Sequence, residues 1–566
     1  MSKLSQMMHC STITFIVLAQ ATCFFCGVNE IAAETNPRGA VATVHPLATE
    51  AGRRVLQSGG NAVDAAIAAA FTLGVVDCHN SGIGGGCFLV LRLQDGSLIA
   101  IDGRETAPRG IDRKLFMKQG KIVPERSRTG PLAVGTPGAL AAYVYASEKY
   151  GSLPLKNLLL PAADIAEHGF PIDATFARRI ESERQDILRF AETGKILLHD
   201  DQTPYTAGET LKLPDLAKTY RAIAARGSDW FYRGPFAQQV GAWMKQNNGV
   251  LDAEDFAGYQ AQQRKPLVSH YRGRTIVGFP PPSSGGIHVA QILNILSNFD
   301  LGDCSQAAFV HLTTEAMKRA FADRAYWLGD PAFTPVPTGL LSTDYAKSLA
   351  EKIDPEKSTV VKQHGNPPDA EEQIFGKHTT HIAAADNEGN WVALTTTVNT
   401  SFGSKIIVPG TGVILNNQMD DFSLAPGVPN AFGLIGAEAN RIEPGKRPLS
   451  SMSPTIVLQD GKPILTLGAA GGPKIISQVV LTILRVVDRG MTLREAVSAP
   501  RFHHQWRPDQ LFIERATGKW SLPERGIEVL QKYGHTLAPL DYTGATQCVG
   551  YDKDGKLIGI AEPRLP

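Results

Sequence analysis

The chain has 566 residues, 43% of them apolar and 20% charged, with a formal net charge of +1 and a pI near 7.7. That length supports one large core or two, and the near-neutral balance argues against nucleic-acid or membrane-surface binding. No low-complexity tract, heptad run or internal repeat stands out.

The N-terminus reads as an export signal. Lys3 gives a weak positive region, Thr12 to Val28 is mostly apolar though broken by Gln20 and Thr22, and Ile31-Ala32-Ala33 offers small residues for cleavage before Glu34. Residues 1–33 are therefore expected to be a leader, and the mature protein periplasmic or secreted. A membrane anchor is the weaker alternative, because the stretch is near the short limit for a span. Of the seven cysteines, Cys78, Cys87, Cys304 and Cys548 lie beyond this region. An exported compartment permits disulfides; Cys78–Cys87 is the pair close in sequence, but the three full pairings stay open. No spacing suggests zinc.

His45 to Ser58 and Asn61 to Val76 read as two helices split by Gly59-Gly60, and the alanine-rich face of the second suits tight packing. Gly82-Ile83-Gly84-Gly85-Gly86 lacks the Gly-Lys-Ser/Thr ending of a phosphate loop, which excludes nucleotide binding there. Phe88 to Leu93 and Leu98 to Asp102 alternate like strands, and Arg104 follows in Asp102-Gly103-Arg104-Glu105. That arginine is either a surface ion pair or a bidentate carboxylate clamp. His364 to His378 is rich in Pro, Asp and Glu, the composition of a flexible segment.

Lys377-His378-Thr379-Thr380-His381 comes next. A threonine freed by a cut just before it carries nucleophile and base on one residue. Thr379 to Ala385 and Trp391 to Asn399 read as strands around the turn Asp386 to Asn390. If Ala385 pairs with Trp391, Thr397 lies opposite Thr379, and Thr397 shares a face with Asn399. A polar-faced surface hairpin fits the same spacing. Downstream, Asn416-Asn417-Gln418-Met419-Asp420-Asp421 supplies amides and carboxylates able to grip an ammonium. Lys446 to Pro454 offers the hydroxyls of Ser450 and Ser451. Gly471-Gly472 falls between an apolar run, Ile464 to Leu467, and a helical pattern, Ile475 to Val487. A glycine pair at such a junction makes either a tight turn or two N–H groups aimed at an oxyanion. His503 and His504 are adjacent, so in a strand they point opposite ways; they read as structural.

Together these blocks, with Ser58 to Ala66 and Ala499 to Trp506, resemble the γ-glutamyltransferases (γ-glutamyltranspeptidases) of the N-terminal-nucleophile hydrolases. The resemblance runs from about Gly39 to the end of the chain. It implies an α/β (α+β) fold, one αββα sandwich built jointly from a large subunit, 34–378, and a small subunit, 379–566, which form a heterodimer from one precursor. It implies self-cleavage between His378 and Thr379, with Thr379 then serving as nucleophile and its α-amine as base. Thr397 would orient the Thr379 hydroxyl. Arg104, Ser450 and Ser451 would hold a substrate α-carboxylate, Asn399, Gln418 and Asp421 its α-amine, and Gly471 and Gly472 the oxyanion. Small γ-glutamyl compounds and amino-acid or peptide acceptors are the implied partners; no metal or organic cofactor is needed.

Three positions depart from the bacterial pattern. Gly103 stands where an aromatic is usual, Cys87 where another glycine is common, and Phe432 where a lid tyrosine normally helps close the pocket. Two alternatives remain: a cephalosporin (glutaryl) acylase or polyglutamate-acting relative on the same fold, or an unprocessed binding protein without catalysis.

Overall fold

Strand alternation with both faces buried organises the molecule. The computed structural model describes residues 37–368, 380–425, 430–431, 433–434, 438–514, 521–540 and 544–565; His378, Thr379 and Phe432 lie outside them. In chain order the main strands are β1 (Gly39–Ala42), β2 (Gly86–Arg92), β3 (Leu98–Gly103), β4 (Gln262–Arg264), β5 (Leu267–Tyr271), β6 (Arg274–Gly278), β7 (Thr380–Asp386), β8 (Trp391–Thr397), β9 (Thr455–Gln459), β10 (Lys462–Ala470), β11 (Ala545–Tyr551) and β12 (Leu557–Ile560). They form two six-stranded sheets, ordered β1-β7-β8-β2-β3-β4 and β12-β11-β10-β9-β6-β5. Successive side chains point to opposite faces of a strand, and here each face has its own core. Ile382, Ala384, Val392, Leu394, Leu89 and Leu91 turn to a helical layer. Ala383, Ala385, Trp391, Ala393, Phe88 and Val90 turn to the second sheet, meeting Val277, Ile456 and Val549.

The helices cover the outer faces. α1 (Pro46–Gln57), α2 (Ala62–Val76) and α3 (Ala139–Tyr150) pack on the first sheet, while α4 (Gly285–Leu296) and α6 (Lys474–Val487) cover the second. α5 (Gln306–Trp327) packs on α4. Asn61 starts α2 with a reciprocal capping box to Asp64, an arrangement that satisfies two end amides. The alanines of α2 are all buried, so its backbone lies close to the sheet beneath. This is the αββα sandwich expected of the sequence.

The hairpin register is Ala385↔Trp391 through Thr380↔Thr396. Strand β8 ends at Thr397, not Asn399. Asn399 has φ +82, so it sits in a turn where strand alternation no longer assigns its face. The segment expected to be flexible is packed where it is described. His364 stacks on Tyr326 with ring centroids 3.3 Å apart, and the Gly365 amide donates to buried Asp323 at 2.6 Å. Residues 369–379 are outside the described range. Cys78, Cys87, Cys304 and Cys548 are all free thiols, so no disulfide joins any of them. His503 and His504 are buried and take separate partners, Ser477 at 2.7 Å and Asp509 at 3.1 Å, which agrees with a structural role.

Two of the departures prove to be one. Cys87 and Gly103 are cross-strand partners in β2 and β3, and a Cβ on Gly103 would stand 2.8 Å from the Cys87 sulfur. The sulfur at 87 takes space that a side chain at 103 would need, and the Ala142 Cβ, 2.6 Å from the same point, closes it further. The glycine stretch is equally tight: a Cβ on Gly85 would fall 1.8 Å from the Thr397 carbonyl oxygen. Backbone cannot yield as a side-chain tip can, so Gly85→Ala should cost about 1–3 kcal/mol or more. Thermal unfolding measures it; an unchanged midpoint would show that the close approach is not needed.

Candidate active site

The turn after α2 holds the start of β7 and the end of β8 together. The Thr380 hydroxyl donates to Asp77 Oδ2 at 2.9 Å, and the Val398 amide donates to the Asn80 carbonyl at 2.9 Å. Asp77 is buried, and desolvation pushes its carboxyl up to about 7 against the hydrogen bonds of Asn80 and Thr380. On the other face, His381 Nδ1 lies 2.9 Å from the Thr395 hydroxyl; burial lowers that imidazole to about 3, so it is neutral. Gly468 of β10 fits against this ring, where a Cβ would meet it at 2.4 Å.

Thr397 Oγ1 accepts from the Asn399 amide at 2.8 Å. Its own proton has no acceptor among the described residues, so it can donate. Asn399 Nδ2 donates to the Asn417 carbonyl at 3.0 Å, which ties the hairpin end to the 416–421 segment. There Gln418 Nε2 donates to Asp421 Oδ2 at 2.7 Å. Arg104 reaches the same carboxylate from β3's end, and it is fully buried rather than at the surface. Its Nε donates to the Pro448 carbonyl at 2.9 Å and its Nη2 also to that of Leu449 at 3.2 Å, with Glu105 at 3.4 Å. Burial raises the Asp421 carboxyl to about 7, opposed by Arg104 and Gln418.

The orphaned atoms are the informative ones. Asn399 Oδ1, Gln418 Oε1 and Asp421 Oδ1 are buried acceptors with no hydrogen-bond partner among the described residues. Leaving one such atom unsatisfied costs about 1–3 kcal/mol. An ammonium needs acceptors for its N–H donors: Asp421 and Gln418 offer one each next to Arg104, Asn399 offers another at the hairpin end tied to the same segment, and Glu105 Oε1 on the far side of the guanidinium is unpartnered too. Ser450 and Ser451 show the converse. Ser450 Oγ accepts from the Met452 amide at 3.1 Å, and Ser451 Oγ from Arg324 Nη2 at 2.9 Å. Neither hydroxyl proton has an acceptor among the described residues. The combination suits a group bearing both a cation and an anion.

Gly471 and Gly472 stand between β10 and α6 with φ +125 and +66, conformations that favour glycine. Both are buried, and neither amide has an acceptor among the described residues. They are therefore available donors. The hydrogen-bond network thus joins Arg104, Gln418, Asp421, Asn399 and Thr397, and the Arg104–Leu449 contact reaches the serine pair. The glycine pair joins through β10, whose Gly468 abuts His381.

Sequence reasoning missed Arg324, whose guanidinium is buried beneath Ser451. One group of described residues has metal-ligand types, His311, Glu315 and His535. Lys318 and Arg319 already hold the Glu315 carboxylate at 2.7 and 2.8 Å, and the two imidazoles are in contact at 2.7 Å. Cations of the protein fill that place.

The family described as gamma-glutamyltranspeptidase matches residues 48–566. The chain belongs to the γ-glutamyltranspeptidase family. It is 41% identical to the glutathione hydrolase proenzyme of Escherichia coli (strain K12), over 93% of this chain and 90% of that one. Among solved structures, the cephalosporin acylase of Bacillus halodurans superposes with a TM-score of 0.82 at 28% identity, covering 93% and 94% of the two chains. A chain of the Helicobacter pylori gamma-glutamyltranspeptidase gives 0.56 at 38% identity, over 58% of this chain and 95% of that one. Members of this γ-glutamyltranspeptidase family are N-terminal-nucleophile hydrolases, and the αββα layering described above is theirs.

Proposed function

We propose that this chain is a self-processing γ-glutamyltransferase that cleaves γ-glutamyl amide bonds, as in glutathione and its conjugates. It passes the acyl group to water or to the amine of an amino acid or peptide. The observation that carries the reading is the set of buried unpartnered oxygens on Asn399, Gln418 and Asp421 beside Arg104. These are acceptors for the α-ammonium of a glutamyl head group, with Arg104, Ser450 and Ser451 as donors to its α-carboxylate.

Maturation begins when the Thr379 hydroxyl attacks the His378 carbonyl. The peptide nitrogen leaves as the new α-amine and an ester forms, which water hydrolyses to free residues 34–378 from 379–566. In turnover the α-amine, with an ordinary pKa of about 7.7–8.0, takes the hydroxyl proton as Thr379 attacks the γ-carbonyl. The Gly471 and Gly472 amides receive the oxyanion, and the proton passes to the departing amine. Water or an acceptor amine then attacks the γ-glutamyl ester. Thr397 donates to the Thr379 oxygen. Residues 1–33 act as an export leader, and the enzyme works in the periplasm or outside the cell. Among the described residues no helix is long and apolar enough to cross a membrane.

The likeness to a cephalosporin acylase favours a second reading, glutaryl transfer. A glutaryl group has a carboxylate but no α-amine, so it would leave the three acceptors unsatisfied. The test is release of the aniline from γ-glutamyl and glutaryl anilides, with and without a dipeptide. Faster release from the glutaryl compound would overturn the glutamyl reading.

Phe432 bears on the choice between water and acceptor. Phe432→Tyr supplies a hydroxyl for which Asn399 Oδ1 is an unpartnered acceptor. One neutral hydrogen bond contributes about 0.5–1.5 kcal/mol, so the ratio of transfer to hydrolysis should shift by a few-fold. An unchanged ratio at fixed donor would remove the lid role from residue 432.

A further inference from the structure

We propose that Arg324 is a positioning residue for the donor α-carboxylate, acting through Ser451 and Ser284. The inference rests on the γ-glutamyl reading and extends it to a residue of α5 that no motif marks.

The geometry is specific. Arg324 is fully buried. Its Nη2 donates to Ser451 Oγ and its Nε to Ser284 Oγ, each at 2.9 Å. Ser284 passes the constraint on: its hydroxyl donates to the Ser450 carbonyl at 2.7 Å, as does its amide at 2.7 Å. The guanidinium therefore fixes the oxygen of one serine of the pair and the backbone of the other.

A hydroxyl has one proton to donate and two lone pairs. When a guanidinium occupies a lone pair of Ser451, the proton is left pointing elsewhere. The bond to a cation also polarises the hydroxyl and makes it a stronger donor. The Met452 amide does the same for Ser450, without charge. Both hydroxyls become donors before any ligand arrives, which suits an anion and not a cation. Arg104 is engaged elsewhere: its N–H groups serve Asp421, Glu105 and the carbonyls of Pro448 and Leu449, and a second Nη1 proton is left for the carboxylate itself.

A scaffold role would be blander. Burying a guanidinium is costly unless hydrogen bonds compensate, and a buried arginine tying a helix to a loop would satisfy that need. The two roles differ in what they do to KM. Arg324→Gln, Ser451→Ala and the double variant are purified, checked for two bands on a denaturing gel, and assayed with a γ-glutamyl anilide. Each single change should raise KM about tenfold while kcat stays within a few-fold. The double variant should exceed Ser451→Ala by no more than the few-fold that the Ser284 route carries, because the two changes share the Ser451 hydroxyl. Multiplying KM effects would overturn the inference, as would a loss confined to kcat. If Arg324→Gln does not mature, Ser284→Ala replaces it, with a KM rise of a few-fold expected and an unchanged KM overturning the idea. A wild-type enzyme that released no aniline from the γ-glutamyl anilide would instead sink the underlying reading.

Discussion

Thr379→Ala remains one band on a denaturing gel and releases no aniline from a γ-glutamyl anilide. Alanine has no hydroxyl to attack the His378 carbonyl, so neither the ester nor the free α-amine forms. Thr380 is paired with Thr396 and its hydroxyl is held by buried Asp77, so the peptide leading into it starts from a fixed strand end. Removing a covalent nucleophile should lower turnover by at least about 10³-fold. Thr379→Ser keeps the hydroxyl and should still divide, more slowly. The two bands expected of wild type are set by the cut, 34–378 and 379–566. An alanine variant that matured at the same bond when purified from cells would place the cutting activity in another protein.

Arg104→Lys should raise KM for γ-glutamyl donors by about tenfold to a few hundred-fold, with a smaller change in kcat. Lysine keeps the charge but not the planar fork. The fork here reaches Asp421, Glu105 and the carbonyls ahead of the serine pair, and one ammonium cannot span all of them. A donor lacking the α-carboxylate should be nearly indifferent to the change. Equal losses on both donors would mean that Arg104 only holds the 448–449 backbone in place.

Much of this was legible from residue order. The split of α1 from α2 at Gly59-Gly60, the register of the hairpin and the strand-to-helix junction at Gly471-Gly472 follow from local periodicity and turn chemistry. Non-local facts were hidden. Arg324 and Ser451 are 127 residues apart, and the second of two arginines in a 22-residue helix carries no local sign of a partner. Asn399 read as a strand residue because a polar run continues past Thr397, whereas its positive φ turns it out of the ladder. His364 to Pro368 read as loose from composition, yet stacking on Tyr326 and a bond to Asp323 hold it; composition reports what a segment is made of, not what it meets. Cys87 and Gly103 looked like two irregularities because their pairing exists only across β2 and β3.

If the chain divides before Thr379 as proposed, the strand order has a consequence for how the two products must be made. In the first sheet β7 and β8, from beyond residue 379, are enclosed by β1 on one side and β2 on the other. In the second, β5 and β6 from before the cut continue the row begun by β9 to β12. Neither product contains a whole sheet, and each alone would present long unpaired edges, which invite aggregation. A single precursor supplies both in equal number and at the high mutual concentration of one chain. Once divided, a small subunit cannot be traded for another without opening backbone ladders on both of its flanks. A variant small subunit added to finished enzyme should therefore never enter it, and mixed enzymes would have to be built by refolding or co-synthesis.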